Sequence, residues 1–324
     1  MIQKVRNWKE YNIALRKRGS IVFKFTEEYL EELYYTGKQK RGGIRKYSEK
    51  MYEYLLSIKV LLRLGWRETI GFAEGMLSRL GKGRVYKLPD YAHAARRSGK
   101  LKLQIKNYRK KEAGKGMEIA FDSTGVNVYT RSGWHQRKYG QEAKCRKSEQ
   151  WKKIHVVLEL NSMEIVAIRY TGSQVNDCEE IGELSEQIQG KVESVRADAA
   201  YDREEMYKKV DEWGAKALIP PSRAAKMQEE LKKKAKEKKK HLEQRDEIIR
   251  KIRGYQDFDE GLKAWKKDSG YHRRSLVESC MNRLKKTFGF YLQQKSEPGR
   301  VNEVITKANL LNLMASFGRA EYSS

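Results

Sequence analysis

Met117-Glu118-Ile119-Ala120-Phe121-Asp122 puts Met117, Ile119 and Phe121 on one side of an extended segment and Asp122 on the other, which is the period of a strand. The chain changes character here, because the residues before it carry helical spacing. After it, Ile154-His-Val-Val-Leu-Glu-Leu160 and Glu164-Ile-Val-Ala-Ile-Arg-Tyr170 follow as strands. The short Asn161-Ser162-Met163 link between them favours an antiparallel hairpin. Cys178 to Ile188 reads as a helix, Ser194 to Asp198 as a fourth strand, Asp202 to Trp213 as a second helix and Ala215 to Ile219 as a fifth strand, stopped by Pro220-Pro221. Three consecutive strands followed by alternating helix and strand predict a mixed α/β fold, a mixed sheet flanked by helices.

Upstream, residues 20 to 115 read as mainly helical. Ser48 to Leu64 shows a broad apolar face behind a serine suited to an N-cap. Leu64-Gly65-Trp66-Arg67 is a break, and Glu68 to Leu80 resumes helical spacing. Pro89-Asp90 opens a third segment, Tyr91 to Lys100, that exposes His93, Arg96, Arg97 and Lys100. Two apolar helices and a basic one match a helix-turn-helix whose last helix enters a major groove, and match a plain helical bundle equally well.

The chain holds 69 Lys and Arg against 43 Asp and Glu, for a formal charge of +26. So basic a surface calls for a polyanion, and nucleic acid comes first because counterion release rewards clustered cations. No stretch approaches the roughly 20 apolar residues of a spanning helix, and the first residues lack an apolar signal core. A cytoplasmic protein of prokaryotic type, associated with the nucleoid, is therefore expected. Cys145, Cys178 and Cys280 share no short metal-ligand spacing, which argues against a disulfide frame or a zinc site. His155 lies in an apolar run and reads as a core residue. Residues 223 to 253 are dominated by lysine, including Lys232 to Lys240; such a run serves as a solvated helix, a flexible arm or a nucleic-acid clamp.

A second informative stretch is Tyr271-His-Arg-Arg274-Ser-Leu-Val-Glu278-Ser-Cys-Met-Asn-Arg-Leu-Lys285. At ~100° per residue, with Arg274 as zero, Lys285 falls near ~20°, Glu278 near ~40° and Tyr271 near ~60°. Leu276, Val277, Cys280, Met281, Leu284 and Phe288 fall on the opposite side, as a core face. One carboxylate thus stands among cations above a buried stripe. Asp122 lies within or at the end of the first strand, and Asp198 ends the fourth. If those strands are neighbours in the sheet, the two carboxylates emerge side by side and the helix bearing Glu278 completes a trio. Three converging acids repel one another unless hard cations lie between them. Each acid also has an ordinary reading: Asp122 as a turn cap, Asp198 as the start of a helix, Glu278 as the i, i+4 partner of Arg274. Asp202 reads as the N-cap of the helix that follows it, with Glu205 three residues on.

Tyr271-(2)-Arg274-(3)-Glu278-(6)-Lys285 resembles the signature of insertion-sequence transposases of the DDE type, in particular insertion sequence family five. Asp122-Ser-Thr-Gly, Trp151-Lys-Lys-Ile-His-Val-Val-Leu, Tyr170-Thr-Gly-Ser-Gln-Val-Asn-Asp177 and Asp198-Ala-Ala-Tyr-Asp202 look like the other landmarks of that family, in the right order. So do Asn7-Trp-Lys-Glu-Tyr11, Arg18-Gly-Ser, Asn302-Glu-Val and Lys307-Ala-Asn-Leu, and the likeness covers nearly the whole chain. The family usually has glycine in place of Ala199 or Ala200.

This resemblance implies a ribonuclease-H-like catalytic domain over 116–324, with a lysine-rich insertion at 223–267, and a mainly helical DNA-binding region over 1–115. It implies Asp122, Asp198 and Glu278 as catalytic metal ligands for two magnesium ions, with manganese as a substitute. Asp122 would bridge the ions, while Tyr271, Arg274 and Lys285, together with Arg96 and Arg97, would contact DNA. The expected reaction is cleavage at the ends of an insertion sequence and transfer of the 3′ hydroxyl ends to target DNA, by a homodimer on paired ends without a small-molecule cofactor. Two other readings stand beside it: a DNA-binding regulator that keeps the fold without catalysis, and a metal-dependent nuclease that cuts without joining.

Overall fold

The computed structural model describes residues 5–39, 41, 44–80, 85–108, 115–128, 151–231 and 239–321. The chain divides into two units: Arg109–Asn127 with Gln141–Arg283, and Met1–Tyr108 with Val128–Gly140 and Leu284–Ser324. Among the described residues no helix is long and apolar enough to cross a membrane.

The first of these units is built on a mixed sheet. Its strands are β1 (Met117–Val128), β2 (Trp151–Glu159), β3 (Glu164–Gly172), β4 (Val192–Arg196) and β5 (Lys216–Leu218), in the order β3-β2-β1-β4-β5. β1–β2 and β2–β3 are antiparallel, with Asp122 opposite Val156 and His155 opposite Arg169. β1–β4 and β4–β5 are parallel. This is the mixed sheet expected from the alternation, consistent with the ribonuclease-H-like fold that the resemblance implies, and the first and fourth strands are neighbours. Ile119 and Phe121 face a core completed by Ile181 and Leu184 of a short helix (Ile181–Ser185) and by Met206, Tyr207 and Val210 of a longer one (Glu204–Glu212). The helix expected over Cys178 to Ile188 begins as a 3₁₀ turn, Asp177–Glu180, because Asn176 and Glu179 close a capping box there.

A second core lies where Leu218 meets Ile248, Ile252, Trp265 and Tyr271. Ile248 and Ile252 come from helix Glu243–Arg253, so the C-terminal part of the basic segment is an amphipathic helix with its apolar stripe buried. Lys232 to Lys238, the densest part of the lysine run, lie outside the described residues, as does Cys145. Asp202 does not cap the helix after it, as its position in the sequence predicted. That cap is Arg203, and Asp202 instead takes both arms of the Arg245 guanidinium, at 2.7 and 3.0 Å, and the Tyr207 hydroxyl at 3.0 Å. A nearly buried carboxylate gains more from this bidentate partner than from backbone amides that water can reach.

The other unit is helical: Trp8–Gly19, Ile21–Tyr29, Glu49–Leu62, Trp66–Leu80, Tyr91–Ser98 and Glu297–Ser316. Ser48 caps the third of these, accepting from the Met51 amide at 3.3 Å, as predicted. Arg63 ends it in the left-handed region, with φ 56°, which makes the break before Trp66. The link from Leu80 to Tyr91 runs over residues 81 to 90 and is far longer than the ~3–4-residue turn of a helix-turn-helix, so that motif does not describe this pair. Helix Glu297–Ser316 holds the extended run after Ser98: Asn302 donates to the Ser98 and Leu101 carbonyls, Asn309 to Gln104 and Asn312 to Lys106. The C-terminal helix therefore groups with the N-terminal ones.

In helix Phe258–Asp268, Gly261 approaches the preceding helix so closely that a Cβ would stand 2.1 Å from the Ile252 carbonyl oxygen. Gly261→Ala is expected to cost about 1–3 kcal/mol, the usual penalty of overpacking. Urea unfolding checks this, and an unchanged midpoint would mean the two helices are not in such close contact.

Candidate active site

The parallel pairing of β1 and β4 brings Asp122 and Asp198 to the same region of the sheet. Asp122 lies within β1, one residue before Ser123, whose amide donates to its Oδ1 at 2.8 Å. Asp198 follows β4 and caps the 3₁₀ turn Ala199–Tyr201, accepting from the Ala200 amide at 2.9 Å. Its ordinary role as a cap and its place beside Asp122 are compatible.

Glu278 arrives on helix Ser275–Phe288, whose Val277, Cys280, Met281, Leu284 and Phe288 are buried as the periodicity predicted. Four contacts fasten the chain just before this helix. Gly270 turns with φ 66°, a left-handed conformation that favours glycine, and its carbonyl accepts from Arg196 at 3.4 Å. The Tyr271 hydroxyl donates to the Ala197 carbonyl at 3.2 Å. Arg273 pairs with Glu118 at 2.7 Å, and Glu118 also holds the buried Arg196 at 2.8 Å. Arg274 donates to Asp122 Oδ2 at 3.1 Å and, with its other arm, to Glu278 Oε1.

Residues 271 to 274 form a 3₁₀ turn rather than α-helix, which rotates Tyr271 off the exposed stripe. Its ring is buried against Trp265, with centroids 5.7 Å apart, and burial pushes its hydroxyl up to about 12. The side chain braces the end of β4 through the Ala197 carbonyl. Arg274 stays where the stripe put it. Burial alone would lower its pKa, but Tyr271, Asp122 and Glu278 hold it above the usual arginine range.

Lys285 lies on the same helix as Glu278 but belongs to the helical unit, and burial lowers its pKa. Arg96 and Arg97 lie in that unit too. Arg96 is exposed, whereas the Arg97 guanidinium sits 5.6 Å from the Tyr52 ring centroid. The fold thus gathers Asp122, Asp198, Arg274 and Glu278, with Tyr271 beneath them, and leaves Lys285, Arg96 and Arg97 in the other unit.

Burial raises the Asp122 pKa; the Ser123 amide and Arg274 oppose that rise, and the charges of Asp198 and Glu278 add to it. Among the described residues no three His, Cys, Asp or Glu side chains converge closely enough to hold a metal ion. The chemistry of the donor set still suits one: three carboxylates, one of them driven toward protonation by burial and then by the charges of the other two, which a cation would offset. Arg274 supplies the positive charge between Asp122 and Glu278 in this structure.

Two further side chains adjoin the centre without having stood out in the sequence. Asp177 starts the turn packed against Ala199–Tyr201 and takes Lys153 at 3.1 Å. The Tyr201 hydroxyl lies within electrostatic reach of Asp177, Asp122 and Asp198. Neither belongs to a periodic pattern, and only their spacing from Asp198 and from the hairpin hinted at them.

Two family models, each described as a transposase DDE domain, match this chain, one over residues 113–313 and the other over 16–131.

The native fold holds the Asp122 proton more tightly than the unfolded chain does. Stability from this group therefore falls as pH rises from the unfolded aspartate value, about 4, through the raised native one. Asp122→Asn cannot ionise and is expected to raise the thermal midpoint at pH 7, with the gain gone below about pH 4. A variant less stable than wild type at pH 7 would show that the Arg274 pair outweighs burial.

Proposed function

From the premise that this chain belongs to the transposase DDE domain family, we propose that it cuts DNA at the ends of an insertion sequence of family five and joins the freed ends to a target. The observation that supports this reading is the link that Arg274 makes between Asp122 and Glu278, on a unit where the strand of Asp122 lies beside the strand that Asp198 follows. A protein kept only for binding DNA has no use for three acids in mutual repulsion on so basic a chain.

Asp122, Asp198 and Glu278 would hold two magnesium ions, which when bound polarise the phosphodiester and activate the attacking oxygen. The chain's own residues supply orientation. The Tyr271 hydroxyl and the Arg273–Glu118–Arg196 group fix the start of the helix bearing Glu278, so its carboxylate is presented from a rigid support. Arg274 has a planar fork suited to a phosphate as well as to carboxylates, and would turn from Asp122 and Glu278 to the DNA backbone near the cut. Lys285 would add a point charge on the same helix.

Cleavage is an in-line attack by water on phosphorus that breaks the bond to the 3′ oxygen and leaves a 3′ hydroxyl. Joining repeats the displacement with that hydroxyl as nucleophile, so one set of residues serves both steps. The helical region over residues 1–115 would bind the element ends through cations such as Arg96 and Arg97, the catalytic domain would span 116–324, and a homodimer would hold two ends together, at the nucleoid.

Glu278→Gln is expected to bind element-end DNA as wild type does, in a mobility-shift assay, and to lose magnesium-dependent cleavage by at least ~100-fold, the scale of removing a group essential in the transition state. Cleavage by this variant at the wild-type rate would remove Glu278 from the site. Cleavage by wild type without any joined product would favour a nuclease over a transposase.

A further inference from the structure

Behind the acid centre, Tyr201 is a buried residue with an unanswered donor. The side chain is 0% exposed, its ring packs on Phe121 with centroids 6.0 Å apart, and its hydroxyl has no hydrogen-bond partner among the described residues. The surroundings do not lack acceptors. After burial, the charges that most raise its pKa are those of Asp177, then Asp122, then Asp198. The phenolic O–H is thus within electrostatic reach of three carboxylates and makes no hydrogen bond among the described residues.

The neighbouring layer has the same character. His155 is 0% exposed and its Nε2 meets Thr171 Oγ1 at 2.8 Å, while Nδ1, 3.5 Å from Asp177 Oδ1, makes no hydrogen bond. Cys178 donates to the Ala200 carbonyl at 2.9 Å and ties the Asp177 turn to the Tyr201 turn. Two buried polar atoms, the Tyr201 hydroxyl and His155 Nδ1, are thus without a hydrogen bond among the described residues, the second of them beside Asp177.

Leaving a buried donor unpaired costs stability, and phenylalanine would fill the same space against Phe121 without that cost. A hydroxyl kept under such a penalty has a task in some state other than this one. We propose that Tyr201 is a positioning residue of the acid centre: when a divalent cation draws Asp122 and Asp198 together, its hydroxyl donates to that pair and fixes the carboxylate orientation. Second-layer donors of this kind hold ligating carboxylates in place and are worth about 10–100-fold in metal affinity. The inference rests on the acid centre being a cation site, and its test separates the two ideas.

The full-length protein and its Tyr201→Phe and Glu278→Gln variants are compared in two measurements. Thermal melting without divalent ions should find Tyr201→Phe as stable as wild type or more so. A lower midpoint, or failure to fold, would make the hydroxyl an ordinary structural bond and overturn the proposal. Manganese titration, with free ion followed by electron paramagnetic resonance, should show half-saturation weakened about tenfold in Tyr201→Phe. Wild-type affinity in Tyr201→Phe together with weakened binding in Glu278→Gln overturns the role of Tyr201 alone. Equal binding by all three proteins overturns the acid centre itself, and the proposal with it.

Discussion

Everything at the acid centre depends on how the chain from Gly270 to Arg274 is fastened to the sheet. Gly270 provides a left-handed turn, Tyr271 reaches the end of β4, Arg273 reaches Glu118 on β1, and Arg274 reaches Asp122 on the same face two pleats further on. The helix that follows buries its apolar stripe, so its rotation is set at both ends. Glu278 inherits its position from these anchors, which lie within eight residues of it in sequence but draw on two strands of the sheet, β1 and β4.

Charge is arranged there at some cost. Glu118, Asp122 and Glu278 pair with Arg196, Arg273 and Arg274, and several of these groups are shielded from water. Buried ions need partners in good geometry, and removing one member leaves another uncompensated. The network around Glu118 is closed, with both arginines satisfied. The one around Asp122 is not, since Asp122 still carries a raised pKa despite its arginine. Two carboxylates four residues apart on one strand thus differ: the arginines outweigh burial at Glu118, whereas at Asp122 burial, helped by Asp198 and Glu278, outweighs Arg274.

The helical unit reaches rigidity by another means. Three asparagines of helix Glu297–Ser316 satisfy the carbonyls of the extended run from Ser98 to Lys106, and the Lys106 amide donates back to Asn309 at 2.8 Å. An irregular segment without sheet partners would otherwise leave its peptide groups unpaired. Side-chain amides supply both donors and acceptors in the place of a strand.

The sequence by itself determined the elements whose period is local: the alternation of Met117 to Asp122, the hairpin after it, the caps at Ser48 and Asp90, and the buried stripe from Val277 to Phe288. Whether the strands of Asp122 and Asp198 are neighbours stayed a condition in the sequence, and the sheet order met it. Tertiary structure alone decided what each polar side chain touches. Asp202 left its expected cap for Arg245, and Tyr271 left the exposed stripe because a tight turn and the Trp265 ring drew it inward. Residues 284–324 joined the N-terminal helices because the partners of Asn302, Asn309 and Asn312 lie some 200 positions earlier. Tyr201 lies inside the Asp198–Asp202 landmark, but nothing in that stretch shows that its hydroxyl is left open. Periodicity reports the face on which a residue lies, whereas a hydrogen bond, or its absence, depends on angstrom-scale placement of groups far apart in the chain.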